Sequence, residues 1–334
     1  MREALQISVV IPLLNEDESL KELTVWIHKV MEEHNFSYEV VMVDDGSKDN
    51  SWKVITDLSE DYPVKGIRFQ RNYGKSAALQ AGFQAAEGEV VITMDADLQD
   101  SPDEIPGLYS MITEEEYDLV SGWKKKRYDP ISKTIPSKFF NFVARKVSGV
   151  NNLHDFNCGL KAYRKEVVKN IEVYGEMHRY IPAIANWAGF EKIGEKVVQH
   201  QARKYGVTKF GLNRFINGFL DLLTIVLTEK YLKKPMHLFG FWGVICMMIG
   251  GGTLAYLAYI RLVEQIWITN RLPALLFGSV CFLTGIIFLM TGLLAELIGR
   301  YSPYRNQYVI KTIIGDDAVG ERLRASGMQT NTNS

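Results

Sequence analysis

The sequence predicts an α/β domain with a Rossmann-like, mostly parallel sheet, followed by a C-terminal α-helical transmembrane hairpin. Three observations predict it. Apolar, β-branched runs alternate with amphipathic helical stretches through the first hundred residues. Acids and turn formers gather where those runs stop. After residue 235 come two long stretches without a single charge.

The strands come first. ISVVIPLLN (7–15), YEVVMVDDGS (38–47), VKGIRF (64–69) and EVVITMDAD (89–97) are the apolar runs. Between them lie ESLKELTVWIHKVMEEH (18–34), SWKVITDLSEDY (51–62) and KSAALQAGFQAAEG (75–88), which space their apolar residues as helices do. Such alternation gives parallel strands with helices on both faces, and ligands then bind beyond the carboxyl ends of the strands. Pro12, Asn15, Asp44, Asp45, Asp95 and Asp97 all fall at those ends. No G-x-G-x-x-G follows the first strand and no G-x-x-x-x-G-K-[ST] occurs, so ordinary dinucleotide and P-loop sites find no support.

Residues 236–260 and 272–294 are free of Asp, Glu, Lys and Arg, and about 20 apolar residues suffice to cross a bilayer as a helix. The link RLVEQIWITNR is short, so the pair makes a hairpin. Lys230, Lys233 and Lys234 precede it, and Arg300, Arg305 and Lys311 follow it. The positive-inside rule then places both ends in the cytoplasm. Gly250, Gly251 and Gly252 offer close helix packing. The expected division is a cytoplasmic domain over 1–210, a juxtamembrane amphipathic segment over 211–235, two transmembrane helices over 236–298 and a cytoplasmic tail over 299–334. SKFFNFVARKV (137–147) is expected to lie as a helix in the membrane interface. The start lacks the apolar core and cleavage site of a signal peptide.

Bulk numbers narrow the class. With 47% hydrophobic and 23% charged residues, the chain of 334 residues is neither disordered nor fibrous. A net charge of -1 gives nucleic acid no electrostatic footing. Three scattered cysteines offer neither a disulfide framework nor metal spacing. Asp95-Ala96-Asp97 is the feature that asks for a cation. Two carboxylates two residues apart on an extended strand end face one way, which suits Mg2+ or Mn2+ carrying phosphate oxygens, with Gln99 as a further oxygen. A solvated acidic turn is the other reading of a lone D-x-D. A Ca2+ loop is disfavoured, because the glycine at position six and the glutamate at twelve are missing.

VVIPLLNE, VVMVDDGSKDNS, RNYGKSAALQAGFQAAEGEVVITMDADLQDSP and HDFNCGLKAYRKEV, in this order and with the hairpin behind them, resemble the family 2 inverting glycosyltransferases of GT-A fold. More narrowly they resemble the polyisoprenyl-phosphate group, that of dolichol-phosphate mannose synthase and its GtrB-like bacterial relatives. The resemblance implies transfer of a sugar from a UDP- or GDP-sugar to a polyprenyl phosphate at the cytoplasmic face of the inner membrane. It implies that Pro12, Asn15, Glu16, Asp44, Asp45 and Lys75 line the nucleotide sugar, with Asp95, Ala96 and Asp97 beside it. Asp95, Asp97 and Gln99 would attend the metal. Arg127, Lys138, Arg203 and Lys209 would grip the acceptor or other phosphates. Asp155 matches the family's proposed catalytic aspartate, and two roles stay open for it: a base, or a group that orients the acceptor or sugar. His154 reads as a neighbour and Cys158 as packing. Two other functions compete. A processive polysaccharide synthase calls for a Q-x-x-R-W motif, and QHQARKY has no Trp. A non-catalytic nucleotide-binding scaffold leaves Asp95, Asp97 and Asp155 without a purpose. Homo-oligomerisation through the hairpin stays open.

Overall fold

The computed structural model describes residues 5–125, 145, 148–199, 201 and 235–301. They fall into two compact units, one within 5–201 and the other within 235–301.

The first unit is built on a seven-stranded sheet ordered β3-β2-β1-β4-β6-β5-β7. β1 (Ile7–Leu13), β2 (Tyr38–Asp44), β3 (Val64–Arg68) and β4 (Val90–Thr93) run parallel. β6 (Lys161–Arg164) is inserted antiparallel between β4 and β5 (Leu119–Trp123), and β7 (Ile193–Val197) pairs parallel with β5. The helices are α1 (Asp17–Glu33), α2 (Ser51–Asp61), α3 (Lys75–Ala85), α4 (Ile105–Thr113), α5 (Lys165–Asn170) and α6 (Ile181–Trp187). β2 is buried along its whole length, as a parallel strand covered on both faces must be. α1 buries Leu20, Leu23, Ile27 and Met31 at helical spacing against that sheet.

The predicted helices form within a few residues of their expected bounds. β4 is the correction. It ends at Thr93, four residues before the predicted end, and residues 95–97 leave the sheet in a turn. β5, β6 and β7 were not read from the sequence. The interfacial helix expected at 137–147 lies outside the described residues apart from Arg145, as does 211–235 apart from Pro235.

The amino-terminal end of the sheet carries a buried carboxylate. Glu39 on β2 accepts from Ser8 Oγ at 2.5 Å and from the Glu87 amide at 2.7 Å, and it pairs with Lys65 Nζ at 2.6 Å. Burial pushes its pKa up, but the hydrogen bonds from Lys65, Ser8 and the Glu87 amide outweigh burial and hold it below the ordinary range.

In the second unit, α7 (Pro235–Leu262) and α8 (Leu272–Tyr301) pack as a hairpin. Gly250 lies against the backbone of Phe282, and a Cβ on Gly285 would stand 2.5 Å from Met247 Cγ, so the two helices meet where side chains are absent. Gly251 faces the Phe282 ring and Gly252 meets open space, so of the three expected packing glycines only Gly250 is pressed into the seam. The apolar stretches have mean hydropathy 1.7 and 2.3, and fewer than a fifth of their residues are buried. Phe241, Met248, Phe277 and Met290 all face outward. Both helices are long and apolar enough to cross a membrane.

The Glu39 cluster yields a pH prediction. A carboxyl held low in the folded state stabilises fully above the ordinary carboxylate range and loses that contribution as pH falls through it. Thermal unfolding followed from about pH 7 to about pH 4 should show falling stability. Glu39→Gln should cost about 1–3 kcal/mol at neutral pH and flatten the pH dependence. An unchanged slope would remove Glu39 as its source.

Candidate active site at the carboxyl edge of the sheet

Because β3, β2, β1 and β4 are adjacent and parallel, their carboxyl ends share one edge. Leu13 is level with Asp44, and Asp44 with Arg68. Asp44 is fully buried. Its Oδ1 accepts the Ser47 amide at 2.8 Å, and its Oδ2 stands 3.4 Å from Arg68 Nε but makes no hydrogen bond among the described residues. A buried carboxylate oxygen with spare acceptor capacity at this edge is suited to an N–H or O–H brought by a ligand.

Asp45 serves the fold. Its two oxygens accept the Tyr73 amide at 2.7 Å and the Gly74 amide at 3.0 Å, anchoring the loop that leads into α3. Asn15, in the left-handed region at φ 56°, accepts the Lys48 amide at 2.9 Å, and its own amide donates to Ser47 Oγ at 2.9 Å. The Glu16 amide donates to Ser51 Oγ at 3.0 Å. Asn15 and Glu16 therefore stitch the end of β1 to the 47–51 loop. Pro12 is half-buried on β1 and lines a pocket with Lys75 and Asp95.

The acidic turn differs from its expected geometry. Asp95 ion-pairs with Lys75 Nζ, the first residue of α3. Burial raises its pKa, but the Lys75 ammonium, with Lys124 and Lys161 adding to it, brings the carboxyl down to about 2. Ala96 is buried and Asp97 is half-buried, with its Oδ1 accepting the Gln99 amide at 3.2 Å. Leu98 takes φ 60°, a left-handed position without glycine. The Gln99 carbonyl accepts the Gln201 amide at 2.9 Å. Asp95 and Asp97 therefore point their carboxylates by way of a turn, not by strand alternation. Among the described residues no group of three or more His, Cys, Asp or Glu stands ready to cage a metal. An ionised Asp95 and a half-exposed Asp97 do fit a hard divalent ion that takes its other ligands from water and phosphate.

The antiparallel β6 brings a second wall. Its register sets Lys161 beside Thr93, so the preceding 155–160 loop descends on the turn. A Cβ on Gly159 would lie 2.5 Å from Asp95 Oδ2. Asp155 is buried, accepts the Asn157 amide at 3.0 Å, and its own amide donates to Glu195 Oε1 at 3.1 Å. His154 stacks on Trp123 with ring centroids 4.2 Å apart and bonds to Glu195 Oε2 at 2.7 Å, so it is the neighbour the sequence suggested. Burial pushes the Cys158 thiol up to about 12, which leaves it inert packing. Arg127, Lys138, Arg203 and Lys209 lie outside the described residues.

Lys124 reads from the sequence as part of a solvated or lipid-facing charge run with Lys125 and Lys126, but its side chain is only 14% exposed; three further residues of this wall, Lys161, His178 and Arg179, were missed by sequence reasoning. Lys124 pairs with buried Asp100 at 2.7 Å, and the other three line the pocket at Asp95. Lys161 lay within a stretch already singled out, and the His178-Arg179 pair of the MHR turn is visible as an isolated basic pair.

Known proteins give the chain its family and its fold. Residues 8–172 match the model of glycosyl transferase family 2. The chain is 36% identical over 326 residues, 95% of each chain, to the dodecaprenyl-phosphate galacturonate synthase of Rhizobium johnstonii. It is 36% identical over 316 residues, 93% of this chain and 94% of the other, to the undecaprenyl-phosphate 4-deoxy-4-formamido-L-arabinose transferase of Proteus mirabilis. Among solved structures, glucosyl-3-phosphoglycerate synthase from Mycobacterium tuberculosis with Mn2+ and UDP-glucose matches at TM-score 0.51 and 18% identity, over 67% of this chain and 79% of that one. Mannosyl-3-phosphoglycerate synthase from Rubrobacter xylanophilus matches at TM-score 0.56 and 15% identity, over 68% and 75%. These likenesses show the GT-A fold.

Gly159 is the position to test. Gly159→Ala should push the Asp95 carboxylate off Lys75 and cost about 1–3 kcal/mol, read as a lower midpoint in thermal unfolding. A variant as stable and as active as the parent would show that the loop has room to spare.

Proposed function

We propose, since the chain belongs to glycosyl transferase family 2 and to its polyisoprenyl-phosphate group, that it moves a sugar from a nucleotide diphosphate to a polyprenyl phosphate at the cytoplasmic face of a membrane. The observation that carries the donor assignment is the shared edge of Asp44, with its unbonded Oδ2, and the Asp95–Asp97 turn. The first would receive a base or ribose N–H or O–H. The second would face the diphosphate.

In the reaction an acceptor phosphate oxygen attacks the anomeric carbon. The bond from that carbon to the leaving diphosphate breaks with inversion, and the nucleoside diphosphate departs with the electron pair. A phosphomonoester has a second pKa of about 6, so its oxygen is ionised at neutral pH and needs no base. Asp155, buried and bonded to the Asn157 amide, then orders the loop against Lys161 and Asp95 instead of removing a proton. Lys75 keeps Asp95 ionised. A divalent cation, held by Asp97 and Asp95, would act as Lewis acid toward the charge on the leaving diphosphate.

Residues 1–210 would form the cytoplasmic catalytic domain. The hairpin would anchor it in the inner membrane, with 299–334 returning to the cytoplasm as the flanking Lys and Arg suggest. The two relatives above are named for different sugars and are equally identical to this chain, so identity does not choose between those sugars.

The experiment is a donor panel. Purified protein in detergent with Mg2+ or Mn2+ and undecaprenyl phosphate is offered labelled UDP- and GDP-sugars, and label is followed into organic-extractable lipid. Transfer should occur with one donor and stop with EDTA. Label in lipid that EDTA does not touch would remove the metal from the proposal. Asp97→Ala should lower transfer by about 100-fold or more with unfolding unchanged; full activity would unseat the acidic turn. Asp155→Asn should lower kcat by about tenfold with the pH profile kept. Loss of the acidic limb of that profile would make Asp155 the base after all.

A further inference from the structure

The start of the 155–160 loop is held by its backbone, from β5 and β7. Ser121 on β5 and Glu195 on β7 are register partners, so their side chains share a face of the sheet. Each takes one peptide group of Asp155. Ser121 Oγ donates to the Asp155 carbonyl at 3.2 Å, and Glu195 Oε1 accepts the Asp155 amide at 3.1 Å. The same Oε1 accepts the His154 amide at 2.7 Å, and Oε2 takes the His154 Nδ1 proton at 2.7 Å. Trp123 lies on the same face of β5 as Ser121 and carries the His154 ring in a near-parallel stack, with 13° between the planes. Asn152 Nδ2 adds a bond to the Ile193 carbonyl at 2.7 Å.

The Glu195 side chain is 8% exposed, and among the described residues no Lys or Arg pairs with it. A buried carboxylate of that kind is satisfied by the N–H groups it holds. Its bonds to amides are also stronger than those a neutral acceptor would make. A hydroxyl could reach one amide, whereas the carboxylate spans two consecutive amides and an imidazole. What it fixes is the peptide entering Asp155, a buried residue whose charge acts on Lys161. From there the loop runs to Gly159, which packs on the Asp95 carboxylate.

We infer that Glu195 is a positioning residue for the transfer reaction: it sets Asp155, and through Asp155 the loop that closes on the Asp95 turn. The inference rests on the sugar-transfer reading given above.

The test is a double-mutant cycle on the full chain in detergent, with the donor that the panel identifies. Glu195→Ala should lower kcat by about tenfold and leave the donor KM close to that of the parent. Adding Asp155→Asn to it should cost little more, because the two residues act as one unit. Losses that multiply to about a hundredfold would overturn the inference, since Glu195 would then act independently of Asp155. Glu195→Gln keeps an oxygen for the two amides, and the imidazole can change tautomer to suit the new NH2 group. It should recover most of the lost rate, and a Gln variant as slow as the Ala variant would also overturn the inference. Ser121→Ala is a milder truncation that frees the other side of the Asp155 peptide. Its loss in kcat should likewise fail to multiply with that of Asp155→Asn, which keeps the cycle decisive where Glu195→Ala does not fold. A raised donor KM with unchanged kcat would make Glu195 a support of the donor site instead. A parent protein that transfers no sugar from any donor would remove the transferase reading, and this inference with it.

Discussion

The Asp95 carboxylate stands between the Lys75 ammonium on one side and the glycine backbone of residue 159 on the other. Three distant parts of the chain meet at that carboxylate: the end of β4, the first residue of α3, and the loop before β6. Without the ion pair, burial alone would push the group toward its neutral form. With it, the site keeps a fixed negative charge at neutral pH. Whatever the turn does toward a cation or a sugar depends on that charge being present and aimed.

The insertion of β6 explains why the third part arrives there. A parallel sheet brings only the strand ends of β1 to β4 to this edge. An antiparallel strand delivers its amino end to the same edge, and with it the 155–160 loop. Lys161 is therefore level with Thr93, one residue before the chain leaves the sheet for Met94 and Asp95. The same insertion sets β5 beside β6, so that Lys124, just beyond β5, reaches buried Asp100. One strand reversal turns an ordinary parallel-sheet edge into a two-walled cleft.

Much of this was legible in the residues, for physical reasons. Long β-branched runs ending in acids have few alternatives to buried parallel strands, and β1 to β3 end within a few residues of where they were expected. The uncharged stretches after residue 235 left little choice but apolar helices. β5 to β7 stayed hidden because they are four or five residues long and LVSGW, KAYR and IGEKV carry no clear alternation. The turn at Asp95–Asp97 was hidden because Leu98, not glycine, takes the left-handed position. Asp45, Asn15 and Glu16 were recognised as belonging to the edge, but bonds that span 28 to 35 residues, from the Tyr73 and Lys48 amides to Asp45 and Asn15 and from the Glu16 amide to Ser51 Oγ, cannot be read from local spacing.

The lysines tell more than the acids do. An acidic turn at a strand end has an innocent explanation in solvation, and the sequence alone left that open. A buried lysine does not, because each must be neutralised, paired or supplied with an anion. Lys75 and Lys124 have their carboxylates within the chain. Lys161 has a backbone carbonyl in reach, feels Asp155 and Asp95 through space, and has its pKa pushed down by burial. A protein selected for stability alone would favour an apolar residue at that position on β6. A lysine is nevertheless kept there, level with the strand end from which the acidic turn departs, and the electrostatic pull of Asp155 and Asp95 on it ties the second wall of the cleft to that turn.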